Sequence, residues 1–178
     1  PQYMKDDFTL VAISNLCLAD ARFKEGISGA NLDYLARRPF WERNMDFNHG
    51  TGHGVGYLLN VHEGPNSFRW RIIQGDNAVL EEGMITSDEP GYYVENQYGI
   101  RHENLLVCKK AEKTSFGQFM CFEHLTMVPF DLDAVVPELM TVQERALLNN
   151  YHAQVYKKIS PYLEEEEKEW LKEATREI

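Results

Sequence analysis

The sequence predicts an α+β fold, with helices towards both ends of the chain and short strands between them. Apolar residues recur at helical spacing over residues 4–22 and again after residue 141. Between these parts, over residues 78–128, short apolar runs alternate with glycine-containing turns, a pattern typical of strands. The 178 residues are 43% hydrophobic and 26% charged, which suits a single domain with a sizeable core.

The N-terminal part predicts two helices. The apolar positions of the first lie on one helical face: Phe8, Val11, Ala12, Leu16 and Ala19. Lys24-Glu25-Gly26 ends this segment. A second helix, capped by Ser28 or Asn31, is expected to run through Phe40-Trp41.

The central part predicts an irregular segment followed by strands. Glycines recur at positions 50, 52, 54 and 56, which makes a regular helix over residues 47–62 unfavourable. Strands are predicted at residues 78–86, 91–94, 100–108 and 119–128, with turns between them.

The C-terminal part predicts two further helices. Thr141 followed by Glu144 fits a capping box, so a helix is expected from there to about Lys158. Pro161 suits the first turn of a last helix. The glutamate run at residues 164–167 is interpreted as a solvated face of that helix.

Charge and cysteine content exclude several classes of protein. A net charge of −10 argues against a nucleic-acid partner, which requires a basic face. No apolar run approaches the roughly 18–20 residues of a membrane span, so no membrane association is expected. Cys17, Cys108 and Cys121 are too widely spaced for a disulfide framework, which indicates a reducing, cytoplasmic location. Because the chain begins with Pro1 and shows no signal-peptide pattern, we expect it to be part of a longer protein.

Three of the six histidines fall within fourteen residues, at His49, His53 and His62. Glycines on both sides of His53 allow backbone and solute to approach its ring. A metal-binding or acid–base role is one interpretation of this cluster. The alternative is a set of ordinary polar residues with satisfied hydrogen bonds.

Two carboxylates follow in the strand region. Glu89 comes after an apolar run and before a Pro-Gly turn, with Asp88 as its competitor and an exposed turn as the alternative interpretation. If residues 100–108 form one strand, Arg101 and Glu103 share a face, where Arg101 would keep Glu103 ionised and oriented. The alternative is an ordinary surface ion pair. One imidazole and two carboxylates suit Mn²⁺, Co²⁺ or Zn²⁺.

Three stretches carry a family resemblance when they are taken in order. They read HGTGHGVGYLLNVHEGP at 49–65, EEGMITSDEPGYY at 81–93 and GIRHENLLV at 99–107. Together they resemble the pita-bread metallopeptidases, in particular the cytosolic long type of X-prolyl aminopeptidase. The resemblance implies that residues 1–130 form the C-terminal part of a pita-bread catalytic domain. Residues 131–178 would then form a helical C-terminal extension.

The resemblance also implies a role for each matching residue. It assigns metal binding to His53, Glu89 and Glu103, with Glu103 bridging two ions. His49 would contact the substrate or its developing charge, Glu89 would act as general base, His62 would assist proton transfer, and Arg101 would orient the site. The implied cofactors are two divalent ions in the intact enzyme, with manganese preferred over cobalt and zinc. The implied substrates are peptides with proline at the second position, and the implied assembly is a homodimer.

The resemblance further implies two aspartate ligands upstream of the histidine motif, and no residues of this chain match them. Since two carboxylates balance only one divalent ion, we expect at most one weakly held metal and no appreciable activity from this chain alone. Two alternatives remain open. One is a prolidase acting on X-Pro dipeptides, and the other is a non-catalytic peptide-binding module with the same fold.

Overall fold

The computed structural model describes residues 1–58, 60–75 and 77–178, so Leu59 of the glycine-rich segment and Asp76 lie outside the description. Its helices are α1 (Gln2–Ala19), α2 (Gly29–Trp41), α3 (Val142–Ile159) and α4 (Glu165–Ala174). Its strands are β1 (Phe23–Lys24), β2 (Gly52–His53), β3 (Ser67–Phe68), β4 (Ile85–Asp88), β5 (Gly91–Val94), β6 (Tyr98–Arg101), β7 (Asn104–Thr114) and β8 (Gly117–His124). The predicted α+β class is therefore confirmed.

The main sheet has four antiparallel strands in the order β1-β8-β7-β4. Two small antiparallel pairs, β2 with β3 and β5 with β6, lie beside it. A single bridge between Gly54 and Thr86 joins the β2 segment to β4. This bridge brings the glycine-rich segment against the strand that leads to Glu89.

Helix α1 is the centre of the molecule and is buried on nearly all sides from Thr9 to Ala19. One part of it packs against α2 and the sheet, and another part packs against the C-terminal helices. The sequence predicted a single apolar face, but polar residues of α1 are buried as well. Each of them has a partner: Ser14 donates to the Ala36 carbonyl, and Thr9 accepts from the Val136 amide.

The C-terminal helices share a hydrophobic core with α1 rather than forming a core of their own. This cluster combines residues of α1, the 130–140 connector, α3 and α4: Ala12, Ile13, Leu16, Phe130, Leu132, Val135, Met140, Leu148, Tyr151, Val155 and Leu171. The predicted capping box is present, since Thr141 Oγ1 accepts from the Glu144 amide and Glu144 bonds back to the Thr141 amide. The division into parts at residue 130 stays a prediction.

Several predicted boundaries are wrong. The strand expected at 78–86 begins only at Ile85, since the preceding residues lie in turns and a single bridge at Val79. The strand expected at 100–108 is two strands, because the chain leaves the β5–β6 pair at Arg101 and joins the main sheet at Asn104. The last helix begins at Glu165 after a short 3₁₀ turn, and Glu164 caps it through a box with Glu167.

None of the helices in the described part of the chain combines the length and apolarity needed to cross a membrane.

All three cysteines are free thiols. Burial raises the pKa of Cys17 and that of Cys108 to about 11, so both remain protonated at neutral pH.

Candidate metal centre

The end of the β4–β7 ladder places two carboxylates opposite each other. The last rung of this antiparallel ladder pairs Asp88 with Asn104. The next residues along the same register are Glu89 on one strand and Glu103 on the other. Like charges directly opposite in a sheet repel each other. Such a pair is therefore a favourable position for a cation.

His53 is brought to the same point by the close approach of β2 to β4. The backbone amide of His53 donates to Ser87 Oγ at 3.0 Å, and Ser87 Oγ donates to Glu89 Oε1 at 2.9 Å. A Cβ atom on Gly52 would lie 1.7 Å from the Ser87 carbonyl oxygen, so this approach requires glycine. Ser87 therefore links the histidine segment to the carboxylate strand.

The three predicted ligands converge within metal-binding distance of one another. One ligand atom from each of His53, Glu89 and Glu103 can be chosen so that all three atoms lie within 4.8 Å of one another. Glu89 is buried and His53 is partly buried, whereas Glu103 is exposed. The cluster thus has a rigid buried side and one ligand open to solvent.

The hydrogen bonds of the His53 ring fit a cation at this point. Nδ1 lies 2.9 Å from the Gly54 carbonyl oxygen, which can only accept, so Nδ1 carries a proton. Nε2 lies 3.0 Å from Glu89 Oε1, a second acceptor. A neutral ring with its proton on Nδ1 would turn a lone pair of Nε2 towards a carboxylate oxygen. A metal ion between the two atoms removes this conflict, and a backbone carbonyl bound to the other nitrogen is the usual arrangement for a histidine ligand.

Arg101 contacts Glu89 rather than Glu103, which corrects the pairing expected from sequence. Its Nη1 lies 3.0 Å from Glu89 Oε2. The expected pairing assumed one continuous strand, in which residues two apart share a face. In the β5–β6 pair Arg101 lies opposite Gly91, so Glu89, two residues before Gly91, is its diagonal neighbour across the pair.

His62 lies beside the cluster, and His49 lies near the backbone of Gly91, two residues after Glu89. The ring of His62 is exposed and its centroid is 4.2 Å from that of His53. His49 Nδ1 lies 2.7 Å from the Gly50 carbonyl oxygen, and Nε2 lies at a longer 3.3 Å from that of Gly91. The weaker contact leaves Nε2 able to exchange its partner for a bound solute.

Asp88, which competed with Glu89 as a candidate, lies on the other side of the strand. Its side chain is buried, and its carboxyl oxygens have no hydrogen-bond partner among the described residues. Burial raises its pKa well above the ordinary value, and the nearby carboxylates of Glu89 and Asp33 raise it further. The ring of His102 packs against those of Phe8 and Phe130.

Sequence reasoning missed three residues that support the cluster. Ser87 bonds both the His53 segment and Glu89. The sequence could have indicated Ser87 by its position two residues before Glu89, which places both side chains on the same face of a strand. Asn15 and Asn104 are buried and bonded to each other, and Asn15 also bonds the Asp88 carbonyl. No local pattern indicated this contact, since the two asparagines are far apart in the chain.

Comparisons with known proteins match this chain to one family of metallopeptidases. The model of metallopeptidase family M24 matches residues 2–110, and the model of the C-terminal region of peptidase M24 matches residues 118–178. A protein of Coprinopsis cinerea named "Probable Xaa-Pro aminopeptidase P" is 42% identical over 176 residues, covering 96% of this chain. Aminopeptidase P1 of Arabidopsis thaliana is 40% identical over 98% of this chain.

Solved structures give the same result. The X-prolyl aminopeptidase of Caenorhabditis elegans, described as a cytosolic enzyme with a di-nuclear active site, matches all of this chain with a TM-score of 0.89 and 38% identity. This likeness confirms the pita-bread fold with its helical C-terminal part. The Xaa-Pro dipeptidase of Bacillus anthracis matches 72% of the chain with a TM-score of 0.54 and 31% identity.

The chain spans less than a third of these relatives: 28% of the Coprinopsis protein, 27% of the Arabidopsis protein and 29% of the Caenorhabditis chain. Within that span the M24 model covers more than half of the 178 residues, and those residues include the histidine cluster and both glutamates. The chain therefore belongs to metallopeptidase family M24.

Proposed function

We propose that this chain serves a metal-dependent exopeptidase that hydrolyses the bond between an N-terminal residue and a following proline. The observation that carries the proposal is the convergence of His53, Glu89 and Glu103 at the end of the β4–β7 ladder. The relatives named as Xaa-Pro aminopeptidases support the substrate class, since they match nearly the whole chain, including its helical end.

The donor set fits divalent ions of the Mn²⁺, Co²⁺ or Zn²⁺ type, and we propose manganese as the native metal. Bound there, such ions supply Lewis acidity and lower the pKa of a coordinated water. Glu89 and Glu103 carry two negative charges, which balance one divalent ion. From His53, Glu89 and Glu103 alone we therefore expect at most one weakly held ion. A second ion requires further carboxylates.

The chain's own residues would divide the remaining chemistry. Glu89, held by Ser87 and Arg101, would accept the proton of the attacking water. The exposed ring of His62 would pass protons between the site and solvent. His49, whose Nε2 lies 3.3 Å from the Gly91 carbonyl oxygen, would contact the substrate or the charge that develops on it. Arg101 would keep the Glu89 carboxylate oriented while that carboxylate takes up and releases the proton.

A cavity of ≈ 320 Å³ beside His49 offers space for the peptide. It is lined on one side by His49 and Gly50 and on the other by Arg69, Trp70 and Arg71. The Arg71 guanidinium lies 4.6 Å from the centre of the Trp70 ring. An aromatic surface suits the apolar CH₂ groups of the proline ring.

Titration of the chain with Mn²⁺ in a calorimeter tests the metal centre. We expect one weak site, which the Glu103→Gln variant abolishes. A matched control is Glu112→Gln, which removes an exposed glutamate from the far end of the same strand, β7. Binding that is equal in both variants would show that the proposed ligands are wrong. Two tight Mn²⁺ sites in the unaltered chain would refute the charge argument.

The substrate class is tested by release of arginine from Arg-Pro-Pro, Arg-Ala-Ala and the dipeptide Arg-Pro. The assay uses the longest natural form of the protein that carries these residues, because the chain alone is expected to have little activity. We expect Arg-Pro-Pro to be cleaved fastest. Equal cleavage of Arg-Ala-Ala would contradict the requirement for proline.

A prolidase is the second candidate, and the match to the Bacillus dipeptidase favours it over other peptidases. That match covers 72% of the chain, whereas the Caenorhabditis aminopeptidase matches all of it. Faster cleavage of Arg-Pro than of Arg-Pro-Pro would decide for the prolidase. A non-catalytic peptide-binding module is disfavoured, since such a module has no need of the clustered ligand set.

Cytoplasmic location and homodimer formation are part of the same proposal. The Caenorhabditis relative is described as cytosolic. Trp170 on α4 is 63% exposed, which makes it a candidate contact between two copies. Light scattering on the unaltered chain and on Trp170→Ala tests this, and a monomer in both samples would refute the dimer.

A further inference from the structure

A chain of buried polar side chains joins the C-terminal helices to the strand ends that carry both glutamates. We call Tyr151, Asn104 and Asn15 the buried polar chain. Asn15 Nδ2 donates to the Asp88 carbonyl at 2.8 Å, and Asn104 Nδ2 donates to Asn15 Oδ1 at 3.3 Å. The Tyr151 hydroxyl lies 3.5 Å from Asn104 Oδ1.

Each member lies on a different element of the fold. Asn15 is on α1, Asn104 is the first residue of β7, and Tyr151 is on α3. All three are buried, with exposures of 0%, 5% and 2%. A buried polar group that loses its partner destabilises the fold, so these contacts define the positions of the elements strongly.

The hydrogen bonds of the buried polar chain end immediately beside the proposed ligands Glu89 and Glu103. Asp88 and Asn104 form the last rung of the β4–β7 ladder, and Glu89 and Glu103 are the residues directly beyond it. Beyond the two glutamates the next backbone bond is a long one, from the His102 amide to the Pro90 carbonyl at 3.3 Å, and the charges of the glutamates repel. A side chain that holds the Asp88–Asn104 rung therefore supports one of the two backbone contacts that set how closely the two carboxylates approach.

The Tyr151 end of the buried polar chain fixes a second segment, residues 126–128, next to Glu103. The Tyr151 hydroxyl lies 2.8 Å from the Val128 carbonyl oxygen and 3.2 Å from that of Thr126. Thr126 Oγ1 in turn accepts from the Leu105 amide at 2.9 Å. Two routes therefore run from Tyr151 to the start of β7, one through Asn104 and one through Thr126.

We propose that Asn15, Asn104 and Tyr151 are positioning residues, through which the C-terminal helices hold Glu89 and Glu103 at metal-binding separation. This inference rests on the proposed function of those two glutamates. It assigns the C-terminal helices a part in assembling the metal centre, although none of their residues is among the three proposed ligands.

The decisive variant is Asn15→Leu, which keeps a similar volume and removes both hydrogen bonds of Asn15. Amide hydrogen exchange is measured in the ion-free chain over residues 85–91 and 101–106, and Co²⁺ affinity is measured from the visible absorption band. We expect amide exchange in both segments to become about tenfold faster and Co²⁺ affinity to become about tenfold lower. Tenfold is the lower end of the loss in metal affinity that follows removal of a hydrogen-bond partner outside the ligands themselves. The band itself is expected to shift as the ligand geometry changes.

The matched control is Asn149→Ala. Asn149 lies on α3, two residues from Tyr151, and exchanges two hydrogen bonds with Ile178 at 3.1 and 3.2 Å. Its loss destabilises the C-terminal helices without touching the buried polar chain. We therefore expect unchanged exchange in both segments and an unchanged Co²⁺ band.

Tyr151→Phe is the second variant and keeps the aromatic ring in the core. We expect a smaller change than for Asn15→Leu, in the same two segments, because Thr126 and Asn104 still bond their other partners. Exchange that matches the Asn149→Ala control in both variants would overturn the inference. An unaltered chain with no Co²⁺ band would refute the proposed function instead, and the exchange data would still decide the positioning role.

Discussion

The two sides of the candidate metal centre are built in opposite ways. His49, His53 and His62 lie on a glycine-rich segment whose described residues contain one regular element, the two-residue strand β2. Glu89 and Glu103 extend from a regular antiparallel ladder whose last rung is buried. The histidine side depends on close backbone approach, and the carboxylate side depends on register and on buried hydrogen bonds. The same site can therefore be disrupted in two distinguishable ways.

The largest effect is expected on the carboxylate side, from Glu103→Gln. Mn²⁺ should no longer raise the melting temperature, because the ion loses one of three ligands and half of the balancing charge. In EDTA the variant should be slightly more stable than the unaltered chain, by roughly 0.2–1 kcal/mol, since one of two opposed charges is gone. Thermal unfolding with Mn²⁺ and with EDTA measures both effects. A variant that is less stable in EDTA would show that the two glutamates do not repel each other in the folded chain.

The next effect is expected on the histidine side, from Gly52→Ala. The added Cβ would meet the Ser87 backbone at 1.7 Å, and backbone cannot move aside easily. We expect a loss of roughly 1–3 kcal/mol or more in the free energy of unfolding, measured in urea. Gly50→Ala is the control, since the atoms nearest its Cβ would be side-chain atoms of Arg69, at 3.0 Å, and not backbone. Equal losses in the two variants would refute the close approach of β2 to β4.

Acid should weaken the helical end that supports the carboxylate side. Burial, together with the smaller effect of the nearby cations Lys158 and Arg176, lowers the pKa of His124 and that of His152 to about 4. Since the unfolded histidines titrate near 6.5, the unfolded chain binds more protons between pH 6.5 and 4. The free energy of unfolding should therefore fall as the pH falls through this window, by at most about 1.4 kcal/mol per pH unit for each histidine.

Urea unfolding at pH 7, 6 and 5 measures this dependence, and His152→Gln identifies one contributor. His152 Nε2 accepts from the Phe130 amide, and the glutamine oxygen can replace that acceptor. The variant should lose part of the slope between pH 6.5 and 4. A slope identical to that of the unaltered chain would show that His152 titrates normally.

The smallest effect is expected at the N-terminal end of α3, from Thr141→Ala. This change removes the side-chain cap of α3 and should cost about 1 kcal/mol in the free energy of unfolding. Mn²⁺ binding should not change, because the buried polar chain meets α3 at Tyr151, more than two turns from the cap. A clear loss of Mn²⁺ affinity would mean that general stability, rather than specific contacts, controls the metal centre.

Local patterns in the sequence were sufficient for some elements and failed for others. Both predicted capping motifs are present, at Ser28 and at Thr141, because a cap depends only on residues three apart. The strand expected at 100–108 is divided, because its two halves pair with different partners. Both halves follow one register, and the ladder is interrupted at residues 102–103 because Pro90, which lies opposite, has no amide hydrogen to donate. Apolar runs alone do not indicate where such an interruption falls.

The sequence by itself determined the identity of the candidate ligands, because His53, Glu89 and Glu103 occur in ordered motifs whose residues resemble those of one metallopeptidase family. Only the tertiary structure decided what holds them in place. It placed Arg101 on Glu89, inserted Ser87 between Glu89 and the His53 amide, and connected Asn15 to the last rung of the ladder. The physical reason is that ligand chemistry depends on residue type, whereas a hydrogen bond between distant residues depends on how the helices and strands pack.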